Sequence, residues 1–239
     1  MANYVLVPGF WLGAWAWDQV AQELRAAGHQ VRAVTLTGLA ERAGELSPEV
    51  GVETHVADIL AAMDGWEEVV LVGHSGANVP VTAVADRYPE RLSRVVYVDT
   101  APLPSGVAVI DFNDEDTQKA WRAQVGDGYA LDVPFFEQGE GQFAGLTEEH
   151  CAQIRAKATP QPWGAVTQSV QRPQQIPATP KTMVASTMPV ALIRELIASG
   201  NPAFAALGTP EWTFVELPTG HWPMFSRPAD LAALLGETV

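Results

Sequence analysis

The sequence predicts an α/β fold: a doubly wound, mostly parallel sheet of about six strands, with a helical cap insertion lying over the sheet edge. Three observations carry this. Short apolar runs rich in β-branched residues recur through residues 1–100 and again after 180, and most lead into segments with apolar residues at helical spacing. That alternation builds a parallel sheet covered on both faces. Residues 101–180 interrupt it, being rich in Pro, Gly, Gln and acidic groups. The run Val69–Val72 enters Gly73-His74-Ser75-Gly76-Ala77, which reads as a strand, a tight corner and a helix start.

Tyr4–Val7 is a buried strand ended by Pro8-Gly9. Trp17, Val20, Ala21, Leu24 and Ala27 then follow helical spacing up to Gly28, where a helix stops. Val31–Leu36 is the second strand, followed by a loop from Thr37 to Pro48 and a helix over Val52–Met63. The third strand and the corner at Ser75 lead into a helix ending near Tyr88-Pro89, and Arg94–Asp99 is the fourth strand. Within 101–180 only Asp116–Gln124 and Thr147–Lys157 have helical character. Lys181–Ser186 and Trp212–Leu217 are the fifth and sixth strands, Val190–Ala198 is a helix between them, and Pro228 starts a last helix, where its missing N–H is harmless. Residues 1–100 and 181–239 therefore form the core and 101–180 the insertion.

The chain of 239 residues is 47% hydrophobic and 18% charged, the balance of a globular enzyme with a sizeable core. A formal net charge of -14 with no offsetting basic patch argues against nucleic acid or an anionic membrane as partner and leaves a small-molecule substrate. Cys151 is the sole cysteine, so neither an intrachain disulfide nor a thiolate metal cluster is expected. Residues 1–7 pass straight into a strand without a basic leader, and no apolar run approaches the ~20 residues of a membrane span. A soluble, cytoplasmic protein without cofactor or metal is the expectation. Whether it is a monomer or a homodimer is left open.

Ligands of such sheets bind outside the carboxyl ends of the strands. The loops gathered there carry Ser75, Asp99 and His221. A serine at a strand-to-helix corner is lifted clear of the sheet and is a candidate nucleophile; the alternative is a helix-capping serine. It needs a base. His29 and His55 read as solvated, His150 as exposed on an insertion helix, and the His74 side chain as pointing away from Ser75. His221, in Thr219-Gly220-His221-Trp222 after the last strand, is the expected base. The acid is less determined. The loop after Lys181–Ser186 reads Thr187-Met188-Pro189-Val190, with no carboxylate. Asp99 is favoured to orient His221, although it could instead cap the Thr100 and Ala101 amides; Glu195, or no acid, are the alternatives. The amides of Phe10 and Gly76 are the expected oxyanion-hole donors. Phe10, Trp11, Leu103, Phe135, Phe136, Trp163 and Trp222 are expected pocket walls.

Tyr4–Trp15, Val72–Ala77 and Leu217–Met224 resemble the α/β-hydrolase superfamily, in the branch of plant hydroxynitrile lyases and methyl-ester hydrolases. The resemblance implies Ser75 as nucleophile, His221 as base, the Phe10 and Gly76 amides as oxyanion hole, and 101–180 as a cap shaping the pocket. Four departures stand out. Ala77 replaces the last glycine of the G-x-S-x-G pattern, Pro8 replaces a family histidine, Pro189 occupies the usual acid position, and Trp222 stands where the lyases carry lysine. Haloalkane dehalogenases of the superfamily carry their acid where Asp99 stands, but Ser75 in place of an aspartate nucleophile argues against their chemistry. An esterase-type serine hydrolase is the favoured expectation. A lyase or cyclase of secondary metabolism and a non-catalytic ligand-binding protein are the alternatives.

Overall fold

The computed structural model describes residues 1–237, so the last two residues of the 181–239 stretch lie outside the described residues. The elements run β1 (Asn3–Val7), α1 (Asp18–Ala26), β2 (Gln30–Ala33), α2 (Val52–Ala62), β3 (Val69–His74), α3 (Asn78–Arg87) and β4 (Leu92–Val98). The insertion follows, with α4 (Glu115–Val125), β5 (Ala130–Leu131), α5 (Glu148–Lys157), β6 (Gln161–Pro162) and α6 (Trp163–Thr167). The core resumes with β7 (Lys181–Ala185), α7 (Val190–Ala198), β8 (Trp212–Glu216), α8 (Pro223–Ser226) and α9 (Pro228–Glu237).

Six strands form one sheet in the order β2-β1-β3-β4-β7-β8, every neighbouring pair parallel. Successive side chains of a strand point to opposite faces, and both faces here are apolar. Tyr4, Leu6, Val70, Val72, Val96 and Val98 join Val20 and Leu24 of α1 and Leu231 and Leu235 of α9. Val5, Val7, Leu71, Val95 and Tyr97 join Val56 and Ile59 of α2 and Val81 and Val84 of α3. Burying one such side chain contributes about 1.5–3 kcal/mol, so the continuous apolar runs read from the sequence fix these strands in the middle of the sheet. Gly73 is needed for packing: a Cβ there would lie 2.7 Å from Val81 Cγ2.

α2 corrects one expectation. His55 is not solvated but buried, its Nε2 3.0 Å from the Thr37 carbonyl oxygen. It follows Val52 by three residues and precedes Ile59 by four, which puts it on the apolar stripe of the helix.

The strand order reverses between β1 and β3, the point where such sheets open a crevice. Residues 101–180 are hydrogen-bonded to the loops beside it. Trp11 N donates to Gln161 Oε1 at 2.9 Å and Thr159 N to Trp11 O at 3.0 Å. Val52 N, at the start of α2, donates to Gln168 Oε1 at 2.9 Å. Arg172 forms a buried, two-pronged pair with Asp86 of α3, at 2.7 and 2.9 Å. The short β5–β6 pair is antiparallel and separate from the main sheet. No helix among the described residues is long and apolar enough to cross a membrane.

Candidate active site

Ser75 is the first residue after β3, and its φ of +49° is in the left-handed region. A β-carbon there is strained by about 1–2 kcal/mol; the strain persists because β3 and α3 are both held by burial. Small neighbours make the corner fit. A Cβ on Gly9 would fall 2.9 Å from Ser75 Cβ, and one on Gly76 only 2.4 Å from the Phe10 ring. The turn after β1 is thus pressed directly against the corner after β3. Ala77 is buried in place of the pattern's last glycine.

Two further loops close on Ser75. Its Oγ lies 2.7 Å from His221 Nε2, and His221 Nδ1 lies 2.6 Å from Asp99 Oδ2. With a carboxylate on Nδ1, that nitrogen carries the proton and Nε2 is free to accept from the serine hydroxyl. Asp99 terminates β4 with φ +48°, and its amide donates to Val184 O of β7 at 2.8 Å. Its Oδ1 accepts from Ser186 N at 3.0 Å, Thr187 N at 2.9 Å and Thr187 Oγ1 at 3.0 Å. The Thr100–Ala101 capping alternative is therefore not what its carboxylate does. Burial tends to raise the Asp99 carboxyl, but the His221 hydrogen bond and charge and the Thr187 and Ser186 amides outweigh it and hold it below its ordinary value. Glu195 is exposed on α7, and Glu216 Oε1 accepts from Val190 N at the start of that helix.

The His221 loop is also tied to the insertion: His221 N donates to Gln142 O at 2.7 Å and Gly220 N to Ala144 O at 3.0 Å. His74 reaches it from β3. Instead of standing apart, its ring sits 4.8 Å from that of His221, and its Nε2–H donates to the His221 carbonyl oxygen at 2.7 Å. Burial, reinforced by the neighbouring His221, pushes His74 down from 6.5 to about 3. The folded protein therefore binds fewer protons than the unfolded chain below pH 6.5, and this group loses stability for the fold as pH falls from about 6.5 towards 3. Its contribution to the slope is at most about 1.4 kcal/mol per pH unit. Denaturant unfolding measured from pH 7 to 4.5 should show a shallower loss in His74→Gln than in the wild type; parallel curves would contradict the buried, neutral assignment.

Ser75, Asp99 and His221 open into a cavity of about 530 Å³. Of the expected walls, Phe10, Trp11, Leu103, Phe136 and Trp222 line it. Trp222 stacks on Phe143 at 5.4 Å and meets the Phe136 ring edge at 5.0 Å. Phe135 and Trp163 do not line it. Phe135 is 71% exposed, because adjacent residues of an extended segment face opposite ways and Phe136 takes the inward side. Trp163 begins α6 and packs beside Val125, Leu131 and Val166 within the insertion. Beyond the expected walls, the cavity is lined by Trp121, Gln142 and Phe143 from residues 101–180 and by Met183, Ile193 and Leu207 from the β7–α7 side. Trp121, Met183 and Ile193 are marked by helical or strand spacing only as apolar positions, and Gln142, Phe143 and Leu207 stand in short irregular turns, so nothing local distinguishes pocket from core or surface. Among the described lining residues Asp99 is the only carboxylate, and there is no lysine or arginine.

Known proteins share this architecture. The chain is 31% identical to the carbendazim hydrolyzing esterase of Nocardioides sp. (strain SG-4G), over 98% of each chain. It is 26% identical to methyl jasmonate esterase 1 of Vitis vinifera, over 99% of this chain and 96% of the other. The solved structure of an extracellular alpha/beta-hydrolase from a Paenibacillus species matches with a TM-score of 0.79 at 20% identity, covering 99% of this chain and 98% of that one. Residues 4–234 match the alpha/beta hydrolase family throughout. The chain accordingly belongs to the alpha/beta hydrolase family, in its methylesterase-like branch, and is a hydrolase.

Proposed function

We propose that the protein is a carboxylesterase that cleaves a small, neutral, apolar ester through Ser75, His221 and Asp99. The observation that carries this reading is the unbroken chain from Ser75 Oγ to His221 Nε2 at 2.7 Å and from His221 Nδ1 to Asp99 Oδ2 at 2.6 Å, opening into a cavity with almost no charge. The Ser75 hydroxyl passes its proton to His221 as Oγ attacks the ester carbonyl. Asp99 keeps the ring in the accepting tautomer and stabilises the imidazolium. The Phe10 and Gly76 amides receive the oxyanion, a contribution of about 3 kcal/mol per donor. His221 then protonates the departing alcohol, and water delivered through the same base releases the acid. The esterases among its relatives support an ester as substrate.

Residues 101–180 act in this reading as a cap: they supply Trp121, Phe136, Gln142 and Phe143 to the cavity wall and hold the backbone of His221. Trp222, at the position of the lyases' lysine, leaves no cation beside the base and weighs against cyanohydrin chemistry. A charged substrate would lose its hydration on entering without meeting a counter-charge. Hydrolysis of p-nitrophenyl butyrate is therefore expected to exceed that of anionic p-nitrophenyl hemisuccinate at least about tenfold in kcat/KM, the equivalent of ~1.4 kcal/mol. Equal rates would remove the neutral-substrate reading. No turnover of any ester in a panel, with no labelling by a fluorophosphonate, would favour the lyase, cyclase or binding-protein alternatives.

A further inference from the structure

The turn after β7 carries no carboxylate of its own, yet its donors converge on the one supplied by β4. Ser186 N, Thr187 N and Thr187 Oγ1 lie 3.0, 2.9 and 3.0 Å from Asp99 Oδ1. Thr187 Oγ1 also lies 2.9 Å from Oδ2, the oxygen that meets His221 Nδ1. Asp99 needs such a hold. Its side chain is only 5% exposed, its backbone is in the left-handed region, and two side-chain torsions separate its carboxylate from the strand. The two amides saturate Oδ1 and place Oδ2 towards the histidine, but they leave the carboxylate plane free to tilt about the Cβ–Cγ bond. The Thr187 hydroxyl, sitting between both oxygens, stops that tilt.

We infer that Thr187 is a positioning residue of the active site, fixing the carboxylate plane of Asp99 so that Oδ2 faces His221 Nδ1. The inference rests on the Ser75–His221–Asp99 reading. It gives the β7 turn a role there, not as the source of the acid but as the cradle of an acid borrowed from the neighbouring strand. Thr187 is exposed and borders the cavity, and its hydroxyl is committed to the two carboxylate oxygens of Asp99.

The test is a double-mutant cycle read with a p-nitrophenyl ester. Thr187→Val keeps the shape and both amides but removes the hydroxyl. It should lower kcat about tenfold, the rate equivalent of part of one charge-assisted hydrogen bond, with KM unchanged. Thr187→Ser restores the donor and should recover most of the rate. In an Asp99→Asn background Thr187→Val should add almost nothing, because the residue acts through that carboxylate. An undiminished rate in Thr187→Val, an equal loss in Thr187→Ser, or the same factor in both backgrounds would overturn the inference alone, provided Asp99→Asn is itself impaired. An unimpaired Asp99→Asn would overturn the proposed triad and this inference with it.

Discussion

Ser75→Ala is expected to lower kcat for a p-nitrophenyl ester by about 10⁴–10⁶-fold while leaving the protein folded. The size follows from removing the atom that forms the covalent intermediate in the proposed mechanism. What survives is the acceleration supplied by binding and the oxyanion donors, which do not form the new bond. Folding should be nearly untouched. The hydroxyl's hydrogen bond is to His221 Nε2, and alanine meets the same left-handed backbone strain that serine already bears. Circular dichroism and urea unfolding check the second half of the statement. Retention of more than a few per cent of wild-type turnover in a folded Ser75→Ala protein would show that the nucleophile lies elsewhere.

Asp99→Asn should cost about 10³–10⁴-fold in kcat, and the geometry says why it is worse than the loss of one charge. Asparagine tolerates φ near +48°, so the backbone has no reason to move. Its amide oxygen can still accept from the Ser186 and Thr187 amides, where Asp99 Oδ1 does now. That choice turns the NH₂ group towards His221 Nδ1, where Oδ2 stands at 2.6 Å. Two donors cannot share that contact, so the ring must carry its proton on Nε2, the nitrogen that has to accept from Ser75. The variant thus holds its base in the wrong tautomer. Glu195→Gln is the matched control: its carboxylate is exposed on α7, and its rate should equal the wild type's. A loss in Glu195→Gln with none in Asp99→Asn would reverse the assignment of the acid.

The inner strands β1, β3, β4 and β7 are legible because both of their faces are largely buried, and two-sided burial writes itself as an apolar run, whereas the edge strands β2 and β8 are only partly buried and are legible by their β-branched and aromatic residues. The candidate residues Ser75 and His221 are legible by position, since each stands in a loop after a strand at the end where the loops gather. The acid is harder. Asp99 stands beside the β7 turn only because Val98 pairs with Val184, and strand pairing is a long-range fact that neither segment states locally. Thr187 was invisible on the same ground, since its partner is 88 residues away in sequence. The expected solvation of His55 fails because burial on an apolar stripe and a hydrogen bond to a distant carbonyl override the usual exposure of histidine, and the hydrogen bond of His74 to His221 O joins residues 147 apart, which no local pattern states. The choice of Phe135 beside Phe136 failed by one residue. In an irregular segment no periodicity fixes which of two neighbouring aromatics turns inward.

In the proposed mechanism Ser75 is a nucleophile activated by His221. The direct measurement is the intact mass and peptide map of the protein after brief exposure to a fluorophosphonate. The expected result is one phosphonyl group on the peptide carrying Ser75, absent from Ser75→Ala and formed at least about 10³-fold more slowly in His221→Ala. Ester hydrolysis that persists while Ser75 stays unlabelled, or labelling that does not depend on His221, would contradict it.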